Sequence, residues 1–238
     1  LVANTGTVSI ESGTGTQTVN VTDVIALDNQ AGGRVALRSG GAQNINADSM
    51  TIALASPNGT SPYAGVSAVG SQIIRMVGGA APASLTLTNT SGISGSLVEV
   101  MTAGNQTLSL YGARYTNAGM LQIGSAAGLG AAKVEAGGSQ TIIAGGIQIQ
   151  GGLTSAARAS LLAVGDMVLS TLDGPLQVLG GSAGIGLGIG IQKIVAQVAA
   201  WPVSVQGSAI GLAFAFSAIV GVVFGFYPAL KASRLDPI

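Results

Sequence analysis

The heptapeptide GNQTLSL, residues 104–110, is one of five copies of a pattern in which Gly-x-Gln is followed by alternating aliphatic residues. The others are GTQTVNV at 15–21, GAQNINA at 41–47, GSQIIRM at 70–76 and GSQTIIA at 138–144. A degenerate sixth copy, GDMVLST at 165–171, has Met167 in the glutamine position. Self-similarity over a few tens of residues predicts a repeat architecture. The glutamines, 26, 29, 34 and 34 residues apart, are Gln17, Gln43, Gln72, Gln106 and Gln140.

Short stretches with strand character precede and follow most copies, for example RVALRSGG at 34–41 and GIQIQ at 146–150. Alternation of apolar and polar residues between Gly, Asn and Ser indicates β-strands. Each repeat therefore holds about three strands and is too short to bury a core alone. We predict a mainly β fold for residues 1–179, a parallel β-solenoid of about five to six coils. An antiparallel sandwich or barrel is the alternative, and five copies of one motif favour the solenoid.

In such a solenoid, small aliphatic residues such as Val19, Ala47 and Ile142 are expected to fill a narrow interior. The five repeated glutamines have two interpretations. Stacked in register, their side-chain amides would form a hydrogen-bonded ladder along the solenoid axis. Alternatively, each glutamine only begins a strand that faces solvent, and the unequal spacings count against perfect register.

The composition excludes several classes of function. Only 8% of the 238 residues are charged, the formal net charge is zero, and the chain has no His or Cys. A neutral chain lacks the basic face that nucleic-acid binding requires. Without His and Cys, thiol nucleophiles, disulfides, Cys-ligated metals and the commonest general base are absent. The first residues, LVANTGTVSI, show no signal peptide, because they have neither a basic nor an apolar region.

An enzymatic solenoid would require paired carboxylates, as in glycoside hydrolysis. Glu99 and Glu135 occupy similar positions in successive repeats, seven and five residues before their glutamines. Lys133 lies close in sequence to Glu135, so an ion pair on the surface is the more ordinary interpretation of this group. We therefore predict no catalytic, cofactor or metal site and a protein that is not an enzyme.

The composition changes at residue 180. GGSAGIGLGIGIQKIVAQVAAWP at 180–202 is mostly apolar, and AIGLAFAFSAIVGVVFGFY at 209–227 has no charge. The second stretch would span about 28 Å as a helix, enough to cross a bilayer. We predict that residues 180–238 form one or two transmembrane α-helices with a short cytoplasmic tail. One crossing would place the solenoid outside the cytoplasm, and two crossings would place it inside.

Small residues in these stretches recur at helical spacing, which allows close helix packing in lipid. The expected packing residues are Gly184, Gly188, Ser217, Gly221 and Gly225. Aromatic residues favour membrane interfaces, and cations favour the cytoplasmic side. The expected interface residues are Trp201, Tyr227, Lys231 and Arg234, and the two cations predict that the C-terminus lies in the cytoplasm.

The segment WPVSVQGSAIGLAFAFSAIVGVVFGFYPALKASRLDPI, residues 201–238, resembles the C-terminal end of MacB-type (FtsX-like) ABC transporter permeases. The phrase FGxYPAxxAxxLDPI that ends the family's last helix is matched from Phe224 to Ile238, and residues 180–202 resemble its penultimate helix. Residues 1–179 resemble, in composition, the Gly/Ser/Thr-rich β-helical repeats of bacterial surface proteins. No GxxxxGK[ST] nucleotide-binding motif is present, and the family's periplasmic domain is not recognisable.

The resemblance implies a transport protein of the bacterial inner membrane whose partners are the lipid bilayer, a separate ABC ATP-binding subunit and a periplasmic adaptor. On this interpretation, a β-solenoid is joined to the C-terminal part of a permease. The alternative is a structural or adhesin-like surface protein that uses the C-terminal segment as an anchor. A homo-oligomer is compatible with either interpretation.

Overall fold

The computed structural model describes residues 1–180 except 4–5, 31, 56–57, 80, 113–117, 126–128, 153 and 155. The chain divides into two units, Leu1–Ile194 and Val195–Ile238, and only the first contains described residues. The description that follows concerns that unit. The predicted boundary between 179 and 180 stays a prediction.

The described residues form nineteen strands arranged in three parallel sheets. Sheet A has seven strands, which are β1 Val2–Ala3, β4 Val24–Asn29, β7 Ser49–Leu54, β10 Ala83–Asn89, β13 Ala118–Gly124, β16 Gly146–Gln150 and β19 Leu176–Leu179. Sheet B has six, which are β2 Thr7–Ser12, β5 Arg34–Ser39, β8 Tyr63–Ala68, β11 Leu97–Thr102, β14 Ala131–Ala136 and β17 Ala159–Ala163. Sheet C has six, which are β3 Gln17–Asn20, β6 Gln43–Ala47, β9 Gln72–Met76, β12 Gln106–Leu110, β15 Gln140–Ala144 and β18 Met167–Thr171.

The chain visits the sheets in turn, so one strand from each sheet makes one coil, and each strand pairs with the strand three positions later. All pairs are parallel, which excludes the antiparallel sandwich or barrel for the described residues. The interior is filled by alternate side chains of all three sheets. Stacked columns of small and branched residues dominate it, for example Val35, Ala64, Val98 and Ala132 in sheet B. Ala47 and Ile142 are buried, and Val19 packs against the core.

The lengths of the connections explain how unequal repeats stay aligned. Three residues separate the sheet B strand from the sheet C strand in five of the six coils, as Gly40–Ala42 do between β5 and β6. The other two corners vary: Asp48 alone separates β6 from β7, whereas residues 77–82 separate β9 from β10. Extra residues therefore lie at corners away from the Gly-x-Gln segment, and the repeated glutamines remain at the same point of each coil.

The predicted fold class is wrong in its helical part. The described residues contain strands and turns, and none of their segments is a helix long and apolar enough to cross a membrane. The two stretches for which helices were predicted, 180–202 and 209–227, lie outside the described residues except for Gly180, which ends the last described turn. The physical reason for the error is that apolar composition indicates only that a segment is shielded from water, and periodicity alone does not separate a helix from other buried structure.

Candidate functional site

The Gly-x-Gln segment forms the corner between sheets B and C. Its glycines stack on one another, because the backbones of successive coils approach closely there. A Cβ added to Gly104 would lie 2.9 Å from the carbonyl carbon of Gly70. The Gly70 amide donates to the Gly41 carbonyl at 2.9 Å, and the Gly138 amide donates to the Gly104 carbonyl at 3.0 Å. Glycine is thus required at Gly41, Gly70, Gly104 and Gly138, because a side chain would collide with the preceding coil, whereas Gly15 in the first coil has open space.

The glutamine that follows each corner points into the solenoid. Gln43, Gln72 and Gln140 are fully buried, Gln106 is 1% exposed and Gln17 is 7% exposed. Each side-chain amide donates from Nε2 to Oε1 of the glutamine one coil earlier, at distances of 2.6, 2.8, 2.6 and 2.5 Å along the column. We call these five side chains the glutamine column. They do not begin solvent-facing strands, and their amides satisfy one another where water cannot reach.

The two ends of the glutamine column differ. At the first coil, Nε2 of Gln17 donates to the Arg38 carbonyl at 3.1 Å and to the Ile10 carbonyl at 3.4 Å. At the other end, Met167 is the register partner of Gln140, and it offers no amide. Within the described residues, Oε1 of Gln140 is consequently a buried acceptor without a hydrogen-bond partner.

A second group of polar side chains lies on the outer face of sheet B. We call it the Tyr63 cluster, and it consists of Arg34, Tyr63, Glu99, Lys133 and Glu135. The Tyr63 hydroxyl donates to Oε1 of Glu99 at 2.9 Å, and Nζ of Lys133 lies 3.2 Å from Oε2 of Glu99 and 2.7 Å from Oε2 of Glu135. The guanidinium of Arg34 lies 4.5 Å from the centre of the Tyr63 ring. These contacts join four coils across the sheet.

The position of the Tyr63 ring depends on a glycine. A Cβ at Gly65 would lie 2.5 Å from the Tyr63 hydroxyl oxygen and 2.8 Å from the Glu99 carbonyl oxygen. The missing side chain at Gly65 therefore leaves space for the ring to lie over the sheet toward Glu99. Tyr63 was not predicted as a site residue from the sequence. The feature that could have indicated it is its register with Arg34 and Leu97 on the neighbouring strands.

Two members of the Tyr63 cluster, the Tyr63 phenol and the Lys133 ammonium, have raised pKa values. Burial raises the pKa of Tyr63 above its ordinary value, and the charge and hydrogen bond of Glu99 raise that pKa further, against a smaller opposite effect of Arg34. Partial burial lowers the pKa of Lys133, but contacts with Glu135 and Glu99 outweigh it, so the lysine pKa lies above its usual value. A neutral phenol and a fully charged ammonium are poor proton acceptors at neutral pH.

Glu99 and Glu135, the carboxylates considered for catalysis, are thus both bound to Lys133. This arrangement suits an ion-pair network rather than a free acid and base. Among the described residues, no group of three or more acidic side chains could hold a metal ion. The predicted packing and interface residues lie outside the described residues, and they are Gly184, Gly188, Trp201, Ser217, Gly221, Gly225, Tyr227, Lys231 and Arg234.

A quarter of this chain is similar to bacterial ABC transporter permeases of the MacB type. The macrolide export ATP-binding/permease protein MacB of Bdellovibrio bacteriovorus is 46% identical over 63 residues, which are 26% of this chain and 10% of that protein. MacB of Syntrophobacter fumaroxidans is 53% identical over 60 residues, 25% of this chain and 8% of that protein. The ABC transporter permease YknZ of Bacillus subtilis is 41% identical over 63 residues, 26% of this chain and 16% of that protein.

The chain thus matches about a tenth of the length of these MacB proteins. The matched length is close to that of the segment 180–238, which carries the permease motif. No protein-family model matches the chain, and no solved structure matches it.

Proposed function

We propose that this chain is a non-catalytic bacterial membrane protein in which a β-solenoid is joined to the C-terminal part of a MacB-like ABC transporter permease. The observation that carries the proposal is the 46% identity over 63 residues to a macrolide export permease. Export across the inner membrane is the activity that the permease-related part would serve. The solenoid would take the place of the family's periplasmic domain.

The described residues support a structural role for the solenoid. The glutamine column is buried and bonded to itself, so it offers no group to a substrate. In the Tyr63 cluster, Lys133 forms ion pairs with both Glu99 and Glu135, the two acidic side chains that a hydrolytic mechanism would need. Stacked coils that share internal hydrogen bonds make an extended, rigid body.

The proposed partners follow from the permease-related part. The proposed partners are a separate ABC ATP-binding subunit, which would supply ATP hydrolysis, and a periplasmic adaptor, which would continue the export path, because the relatives are named macrolide export ATP-binding/permease proteins. The cations Lys231 and Arg234, with Asp236 as the next acid, favour the cytoplasm for the C-terminus. The lipid bilayer is the proposed surroundings of the segment that begins at residue 180.

Membrane fractionation tests the location. We expect the full chain to stay in the membrane pellet after alkaline carbonate washing, and a matched chain that ends at Leu179 to be released. Release of the full chain would contradict membrane insertion. Protease protection in spheroplasts then assigns the side of the solenoid, since cleavage from outside requires an exposed solenoid.

Co-purification tests the transport role separately. The tagged full chain should retain an ABC ATP-binding subunit from the same cell, and the chain that ends at Leu179 should not. The alternative function is a membrane-anchored structural or adhesin-like protein. The outer face of sheet A favours it, because this face is rich in hydroxyl and amide groups and Asp28 is its only charged side chain among the described residues. Retention of the chain in membranes without any ATP-binding subunit would select this alternative.

A further inference from the structure

The outer face of sheet A differs from that of sheet B in its chemistry. Its central row runs through Thr51, Thr86, Gln122, Gln148 and Gln177, which are register partners in consecutive strands. Among the described outward residues of this sheet, the only charged side chain is Asp28, on the second strand from the N-terminal edge. Since parallel strands lie about 4.8 Å apart, hydroxyl and amide groups repeat at that interval along the axis.

A notch interrupts the neighbouring row. Thr88, Gly124 and Gln150 are register partners, and Gly124 leaves a gap between the two side chains. The notch has a volume of about 220 Å³ and its polar lining consists of Thr86, Thr88, Thr90, Gln122, Gln148 and Gln150.

The glycine at the notch is not required by packing. A Cβ added to Gly124 would have the Leu87 carbonyl oxygen, 3.8 Å away, as its nearest contact, which is an ordinary distance. By contrast, a Cβ at Gly119 in the same strand would collide with the backbone of Ala83. A glycine in a strand often marks a bulge, a tight bend or a site where a ligand or another backbone approaches closely, and Gly124 pairs in regular register with no bulge.

The polar groups of the notch are only weakly engaged with one another. Thr86 donates to Oε1 of Gln122 at 3.4 Å, and Nε2 of Gln122 donates to Oε1 of Gln148 at 3.4 Å. These distances lie beyond the usual hydrogen-bond range, whereas the buried glutamine column has distances of 2.5 to 2.8 Å. A ligand can therefore replace the contacts within the notch at little energetic cost.

We propose that this notch and its row bind a neutral glycan chain. Threonine hydroxyls and glutamine amides both donate and accept hydrogen bonds, as sugar hydroxyls do. The absence of charge from the described lining disfavours ionic ligands, and the repeating row fits a linear polymer better than an isolated small molecule. The residues of this site all precede the permease-related segment in the sequence, so failure of this proposal leaves the proposed transport role intact.

Titration calorimetry on the purified full chain tests the proposal with cellohexaose, maltohexaose and chitohexaose, and with hexagalacturonate as the charged probe. We expect at least one neutral hexasaccharide to bind and hexagalacturonate to bind more weakly. Gly124→Leu fills the notch and should weaken binding by about tenfold or more, as the loss of one or two hydrogen bonds would. The matched control, Gly13→Leu, alters another open glycine, in the first coil, and should leave binding unchanged.

Binding by none of the neutral probes, preference for hexagalacturonate, or equal affinity of Gly124→Leu and the parent chain would each overturn the proposal. If Gly124→Leu does not fold, Gln148→Met removes an amide of the lining and keeps the length of the side chain. Its far-UV circular dichroism should match the parent, and the same loss of affinity is expected. Undiminished binding by a folded Gln148→Met would likewise overturn the proposal.

Discussion

The hydrogen bonds of the glutamine column predict that substitution of one internal glutamine weakens its contacts with both neighbouring coils. Gln106 accepts from Gln140 at 2.5 Å and donates to Gln72 at 2.6 Å, and all three side chains are buried. Gln106→Met keeps the length of the side chain, and methionine already occupies this position of the repeat at Met167. The substitution removes two hydrogen bonds and leaves two partner groups unpaired in the interior.

The expected magnitude follows from those two orphaned groups. A buried polar group without a partner costs about 1–3 kcal/mol, so the two orphaned groups of Gln106→Met should lower the free energy of unfolding by about 2–6 kcal/mol. Neighbouring members of one network are not additive. Adding Gln140→Met to Gln106→Met should therefore cost less than Gln140→Met does in the parent chain, because its donor has already lost its acceptor.

Equilibrium denaturation followed by far-UV circular dichroism measures the loss, and amide hydrogen exchange in β12 and β15 locates it. Gln177→Met is the matched control, since Gln177 is exposed and should change stability by less than about 0.5 kcal/mol. A loss for Gln106→Met no larger than that of the control would refute the reasoning. Strict additivity of Gln106→Met and Gln140→Met would show that the side chains do not act as one network.

Four further substitutions test the same structure. Met167→Gln supplies a donor to Oε1 of Gln140 and should raise stability by about 0.5–1.5 kcal/mol, seen as a higher denaturation midpoint. Tyr63→Phe should cost about 1.5–3 kcal/mol at pH 7, because the hydroxyl donates to a buried carboxylate. Since the Tyr63 pKa is raised on folding, its stabilisation is complete below about pH 10 and falls above it, so parent and variant should converge in a series of midpoints at alkaline pH. Gly104→Ala should cost about 1–3 kcal/mol by backbone collision, whereas Gly124→Ala, which has space, should cost less in the same denaturation assay.

Much of the described fold could be predicted from the sequence, because its signals are local. The Gly-x-Gln copies and the alternation around them predicted strands such as Arg34–Ser39 and Gly146–Gln150. The hydrogen bonds of the glutamine column also follow a pattern visible in the sequence. Unequal spacings between the glutamines would disturb their register only if the extra residues lay between the strands of sheets B and C. The extra residues lie at the other two corners of each coil, so the register is kept.

The Tyr63 cluster could be predicted only in part. The sequence indicated that Glu99 and Glu135 occupy similar points of successive coils and that Lys133 forms a surface ion pair. The structure places Nζ of Lys133 within 3.2 Å of both carboxylates. The contact of Tyr63 with Glu99 spans 36 residues and depends on the space left by Gly65. Composition and periodicity contain no information on such a contact.

By itself, the sequence determined the repeat, the strand-rich character of the first 180 residues and the permease-like C-terminal motif. Each of these depends on residue order within a short window. The tertiary structure alone decided the inward direction and bonding polarity of the glutamine column, the pairing within the Tyr63 cluster and the open notch at Gly124. These features arise between residues of different coils, so they depend on the register that stacking imposes and on which backbone lies beneath each side chain.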